Sequence, residues 1–398
     1  MRFKIRLSKT QRDFLVMILI ILFATLCAVF HFNIEKSVFA EETSGITSAW
    51  SGGIAESFAG GTGTEADPFL IETGEQLAKL ASDVNSGETY SGRYFKLISN
   101  IALNAESPIN DDFTAKSTTI LDGLHQWTPI GIAGYHFEGV FDGNNKKITN
   151  MYIYDSNSNG HIGLFAYADG ATFKNLGIEG FYLRSGSANS RYLGGLLADG
   201  SGVTIKDCDA SGYIYKRSGN YAYAALITGR LRGESLIENC RSSGIIESLN
   251  YSGGIVSYAN DTNIKINNCY NDAKLISRSY SGGIMGHGSA AISNCYSLGN
   301  LDVLNTVISN NYRGGIAGYL NNGGSIKNCY NSGDVIGSNQ VGGIAGYGYG
   351  DIENCYNIGN VSQDSYKTAD GILGGIAGYL FFGNIKNCYN EGTVRAEY

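Results

Sequence analysis

What this chain has little of removes several classes at the outset. Only 3 of its 398 residues are proline, so long Pro-rich linkers are excluded. Charged residues make up 16%, which suits a β-solenoid better than a helical enzyme. The five histidines, His31, His125, His136, His161 and His287, are scattered and no HExxH occurs, so the zinc-peptidase signature is missing. There is no CxxC, and no histidine stands beside a repeat cysteine, so a zinc site is not expected. Gly60 to Thr64, GGTGT, lacks the GK[ST] ending of a phosphate loop. Without residues 1–40 the chain has 23 Lys+Arg against 34 Asp+Glu, a net charge of −11. Nucleic acid is thereby excluded as a partner, because phosphate affinity needs a positive surface. No cofactor and no metal are expected.

What is abundant is repetition. A paired-glycine element recurs at Gly194, Gly253, Gly282, Gly314, Gly342 and Gly374, with Ala224-Ala225 replacing it once; the six intervals average 30 residues. One cysteine accompanies each copy, as in SIKNCYNSGDVIGSNQVGGIAGY from Ser325 to Tyr347. The copies contain runs of four to six residues broken by Gly, Asn and Ser, too short for helical pairs. GGIAGY, SIKNCY and GDVIG read as three short strands. A propeller blade needs about 40 residues, so the period favours an all-β, right-handed parallel β-helix of about nine or ten coils. Ordering about 30 residues costs on the order of 30 kcal/mol or more, and each buried Ile or Val returns only about 1.5–3. A coil therefore folds only by stacking.

The first forty residues read as a signal peptide. Arg2, Lys4, Arg6, Lys9 and Arg12 precede an apolar stretch from Phe14 to Phe30, and Val38-Phe39-Ala40 offers cleavage after Ala40. An uncleaved anchor is the competing reading, since 17 apolar residues sit at the lower limit for spanning. Residues 41–105 read as an N-terminal cap region. Thr73 to Ser86 predicts a short capping helix with Leu77, Leu80, Ala81 and Val84 on one face and Thr73 and Gln76 as a capping box. Residues 106–398 form the β-helix, degenerate to about 190 and regular after it. YFKLISNIAL and FEGVFDGNNKKITNMYI carry two degenerate coils, joined by an excursion containing Trp127 and Pro129.

GGIAGY followed by IKNCYNSGDV resembles the GLUG repeat, and GTGTEADPFLIETGEQLAKLA, WTPIG and GLFAYADGATFKNLGI resemble the lead-in found with it. The resemblance covers nearly the whole chain after residue 40. It implies a bacterial, secreted or cell-surface β-helical protein of adhesin type. The repeat also accompanies IgA-cleaving zinc peptidases, whose activity cannot be carried over without HExxH.

Cys208, Cys240, Cys269, Cys295, Cys329, Cys355 and Cys388 should stack at about 4.8 Å as a buried thiol ladder. Parallel in-register side chains suit disulfide geometry poorly. Before them stand Asp207 and then Asn239, Asn268, Asn294, Asn328, Asn354 and Asn387, suited to a left-handed bend and an amide ladder. After the cysteines come Tyr270, Tyr296, Tyr330, Tyr356 and Tyr389, which alternation turns outward. They are the candidate ligand-binding stripe, exposed to solvent, for sugars or a partner protein; the alternative is a ring ladder that only stabilises the strands. Tyr258, Tyr319, Tyr347 and Tyr379 end the glycine element in four coils.

Glycan cleavage by paired carboxylates needs a separation of about 5–9.5 Å. Asp207 with Asp209, and Asp142 in the DGNN turn, do not recur so as to build a cleft, so no catalytic residue is assigned. The expectation is a non-enzymatic exported scaffold for adhesion or for binding host or environmental glycans or surface proteins. A polysaccharide lyase or hydrolase and an inert stalk are the alternatives. The sequence stops at Tyr398 just after an NCYNEGTV strand, which suggests an uncapped last coil open to end-to-end self-association.

Overall fold

A computed structural model describes residues 48–155, 160–187, 192–218, 222–304, 311–364 and 371–396. The expected signal peptide lies outside them. Residues 46–398 form one compact unit, an all-β parallel solenoid whose named strands all pair in parallel across three sheets of 24, 7 and 8 strands. One inward column of the first sheet shows how the coils stack. Phe69, Phe95, Phe141, Phe173, Ile205, Ile237, Ile266, Ile292, Ile326, Ile352 and Ile385 stand in register on eleven successive rungs. Phe95 to Ile352 are all 0–1% exposed.

The coil count differs from expectation. The third sheet has eight rungs, from Phe165–Asp169 to Ala377–Leu380, and the second has seven, so the regular solenoid makes about eight turns. Three further rungs of the first sheet, starting with Phe69–Ile71, extend it N-terminally without partners in the other sheets. Those levels lack the paired-glycine element, and that element makes the second and third sheets.

The element is itself a bend and not one strand. Gln340–Gly342 belongs to the second sheet and Ala345–Gly348 to the third, with Gly343 and the buried Ile344 between them. Both glycines are sterically required. A Cβ on Gly342 would sit 2.0 Å from the Ala345 carbonyl oxygen, and one on Gly343 would sit 2.2 Å from that of Gly375. The two strands thus close on each other through bare backbone.

Helix α1, Gly74–Asn85, is where the capping box places it. Thr73 Oγ1 accepts from the Gln76 N–H at 3.4 Å, and Gln76 Oε1 accepts from the Thr73 N–H at 3.3 Å. Leu77, Leu80 and Val84 are fully buried, in one continuous core with Trp50, Phe95 and the coil interiors. Asn85 fixes the helix end to the excursion: its Nδ2 donates to the Pro129 carbonyl at 3.1 Å and its Oδ1 accepts from the Gly131 N–H at 2.8 Å. At the other end, Ile385 and Val394 are 47% and 43% exposed, whereas Ile352 and Val361 one coil earlier are fully buried.

Candidate functional site

The asparagine corner is the local device that aims every side chain around it. Asp207, Asn239, Asn268, Asn294, Asn328, Asn354 and Asn387 all have φ between 50° and 55°, the left-handed region that Asn and Asp enter at least cost. Their amides link coil to coil: Asn354 Nδ2 donates to Asn328 Oδ1 at 3.1 Å, and Asn387 Nδ2 to Asn354 Oδ1 at 3.1 Å. Asn294 departs from the column and donates to Asn267 Oδ1 at 2.8 Å.

The bend turns the next residue, cysteine, inward. Each Sγ donates to the carbonyl two residues back at 3.1 to 3.3 Å. Cys295 Sγ also accepts from the Cys269 N–H at 3.4 Å, and Cys329 Sγ from the Cys295 N–H at 3.5 Å. A small apolar side chain that can also satisfy a buried N–H explains cysteine here, where alanine would leave the donor orphaned. All seven thiols are free; Cys208 to Cys355 are buried and Cys388 is half-buried. Burial pushes the Cys208, Cys269 and Cys329 thiols up, away from the reactive thiolate. A second ladder went unread in the sequence. The asparagine after each Tyr is buried, with Asn331 Nδ2 donating to Asn357 Oδ1 and Asn357 Nδ2 to Asn390 Oδ1, both at 2.7 Å. The recurrence of NCYN is its signal.

The tyrosine after cysteine faces outward. Tyr270 stands in register with Tyr296, and Tyr296 with Tyr330, on the first sheet. Ring centroids are 5.6 Å apart for Tyr330–Tyr356 and 5.5 Å for Tyr356–Tyr389, with planes within 13° and 5°. Only Tyr389 is exposed, at 45%; the other four are partly buried. Stacked rings hide one another's faces, so what this stripe offers a ligand is ring edges and hydroxyls.

A larger aromatic surface runs along the glycine bend. On the second sheet Tyr192, Tyr223, Tyr251, Tyr280 and Tyr312 stack at 4.3 to 5.0 Å. On the third, Tyr258, His287, Tyr319, Tyr347 and Tyr379 follow at 4.9 to 5.2 Å. The columns touch across the bend, with Tyr312 5.4 Å from both Tyr319 and Tyr347. Together they make a tyrosine seam along one edge of the solenoid. Its third-sheet side was visible in the sequence, but the facing side was not, because only the glycine bend brings the two together. Burial pushes the His287 imidazole down to about 4, so it stands neutral within the seam.

The acids are bound into the scaffold. Asp142 accepts from the Asn144 N–H at 2.8 Å and from Asn175 Nδ2 at 3.0 Å. Asp207 Oδ1 accepts from Asn239 Nδ2 at 2.8 Å, and Asp209 stands in register with Arg241. An open recess of about 590 Å³ between Ser107 and Lys116 contains Asp111 and Asp112, and the Asp112 carboxylate accepts from Thr114. Among the described residues no group of three His, Cys, Asp or Glu side chains is placed to hold a metal ion.

Known proteins share these features in part. A provisionally named Gly-rich membrane protein of Evansella cellulosilytica is 33% identical over 148 residues, which is 37% of this chain and 15% of that protein. The chain thus spans about one-seventh of the curated relative's length. A crystal structure from Bacteroides ovatus, provisionally named an immunoglobulin A1 protease, superposes with a TM-score of 0.51 and 22% identity. It covers 70% of this chain and 80% of that one, and shows a shared fold. A second solved structure, named IgA1 protease, gives a TM-score of 0.43 at 17% identity over 74% of this chain and 23% of that one. The GLUG motif matches residues 309–336, 337–362 and 370–395, each one turn of the solenoid with its glycine bend or asparagine corner, and on those matches the chain is a GLUG-motif repeat protein.

Proposed function

We propose that the protein is an exported, non-enzymatic β-solenoid, a surface or secreted scaffold that binds glycan chains through its tyrosine surfaces. The observation that carries the reading is the seam: two facing columns of rings set their hydroxyls at coil spacing along one edge. An extended polymer whose own hydroxyls repeat along its length meets such an array without a deep pocket. Export is supported by the basic stretch Arg2 to Arg12 before the apolar Phe14 to Phe30, and by a relative named as a membrane protein. The non-enzymatic reading rests on the acids, since Asp142 and Asp207 each hold a backbone turn or a neighbouring coil.

The test incubates the protein with mucins and with plant and bacterial polysaccharides, following retention and new reducing ends together. Retention without cleavage is expected. It should weaken when Tyr319 and Tyr347 become phenylalanine, which removes hydroxyls and keeps the stacks, and the pair Tyr330→Ala, Tyr356→Ala reports on the outer stripe. New reducing ends, or no retention on any polymer, would overturn the reading.

A further inference from the structure

At the N-terminal end of the seam the ladder of rings gives way to charge. The third-sheet column that reads Tyr258, His287, Tyr319 further on begins with Tyr167, Asp199 and Arg230 in register. The coil that replaces the glycine pair with Ala224-Ala225 is thus also the coil that puts an arginine in tyrosine's place. The Asp199 side chain is 1% exposed and lies among three basic groups. Arg230 Nε donates to Asp199 Oδ1 at 2.9 Å while its Nη2 grips Oδ2, a bidentate pair. Arg230 Nη1 donates to Tyr192 Oη at 2.9 Å, and its guanidinium lies 4.2 Å from the Tyr192 ring centroid. Arg232 Nη2 is 3.3 Å from both Asp199 oxygens, and His161 Nε2 is 3.7 Å from Oδ2.

One buried carboxylate needs one guanidinium to be compensated, and here it has two. With the imidazole neutral the cluster keeps a net charge of about +1, since arginine stays protonated. That excess is directed outward: the Arg232 side chain is 41% exposed and Arg230 23%, against 1% for Asp199. The acid in Arg232's own column, Asp169, stands two rungs away beyond Ser201. Asp199 therefore acts as a buried peg that orients two planar donors toward solvent at the head of the seam, in a chain whose formal net charge is −7.

We propose that this cluster is an anion subsite, in which Arg232 and Arg230 take the carboxylate or sulfate groups of an acidic polysaccharide whose chain continues along the seam. The proposal rests on the glycan-binding reading of the seam and adds the ligand's charge and its position. Carboxylate and sulfate share the acceptor geometry that a guanidinium fork fits, so both chemistries are probed.

The experiment measures retention of the protein on immobilised polygalacturonate, dextran sulfate and neutral dextran at low and high salt, with folding of each variant checked by circular dichroism. Stronger retention on an acidic polymer than on dextran, falling as salt rises, is expected. Arg232→Gln should weaken acidic retention about tenfold, the loss of one charge-assisted contact, and leave dextran unchanged. Asp199→Asn should strengthen it, because the peg loses its negative charge. Should either variant unfold, Arg230→Lys decides, since it keeps the charge and loses the fork. The acidic polymer that responds identifies the group. Equal retention on all three polymers, or an Arg232→Gln protein that binds polygalacturonate and dextran sulfate like the parent, would overturn the subsite. Loss of dextran binding in the Tyr319→Phe, Tyr347→Phe protein with the acidic preference intact would instead separate the subsite from the seam.

Discussion

The first four rungs of the main inward column are phenylalanine, Phe69, Phe95, Phe141 and Phe173, and the next seven are isoleucine, Ile205 to Ile385. The register runs unbroken through the change. In the aromatic part, rings meet at varied angles, Phe137 with Phe165 at 46° and Phe165 with Phe173 at 60°, and Phe141 and Phe181 fill the remaining space. In the isoleucine part every level repeats the same contacts with Cys and Asn. One region is fitted once, as a jigsaw, and closes the solenoid against α1; the other is fitted by a rule that any number of coils can obey.

The largest expected effect breaks the aromatic region and spares the periodic one. Phe173→Ala should destabilise the protein by about 3–5 kcal/mol, because a fully buried ring leaves a cavity that its differently tilted neighbours cannot close. Ile326→Val, at an equivalent rung, should cost about 0.5–1.5 kcal/mol. Urea unfolding of both variants checks the ratio. Equal losses would mean that the two regions are packed alike, contrary to the contrast above.

A smaller effect tests what the regions share. Asn175, among the phenylalanines, has φ 53°, and Asn328, among the isoleucines, has φ 54°. Replacing either by alanine should cost about 1–2 kcal/mol for the left-handed backbone. Asn328→Gly should recover most of that and lose only the amide bonds to Asn294 and from Asn354. If glycine is as damaging as alanine in urea midpoint measurements, the amide ladder and not the backbone dominates the corner.

The contrast also explains what could be read from sequence. The GLUG-like coils announce themselves because each level needs the same left-handed corner, inward thiol and glycine bend, so Asn-Cys-Tyr and Gly-Gly recur. Helix α1 was legible to the residue, since Thr73, Gln76 and the Leu77, Leu80, Ala81, Val84 face are local signals. The three extra N-terminal rungs left no such mark, because an aromatic jigsaw has no period. GGIAGY read as one strand, since steric closure at Gly342 and Gly343 is a property of two strands meeting. That same closure pairs the two tyrosine columns and sets Asp199 beside Arg230, 31 residues on. The seam and its charged head thus depend on coil-to-coil register, which composition does not display.

The smallest effect concerns the outer stripe. Tyr330 and Tyr356 stack at 5.6 Å with planes 13° apart, and a cross-strand pair of this kind contributes about 0.2–1 kcal/mol. A double-mutant cycle with Tyr330→Ala and Tyr356→Ala should return a coupling in that range, well below the Phe173 loss. The same four proteins, assayed for glycan retention, show whether the stripe does more than hold its strands. Coupling in stability with unchanged retention makes it a ladder, as the hidden ring faces favour, and leaves binding to the seam. Retention lost in each single variant, by more than the stability change accounts for, would give the isoleucine-cored coils a second binding face that the phenylalanine-cored rungs lack.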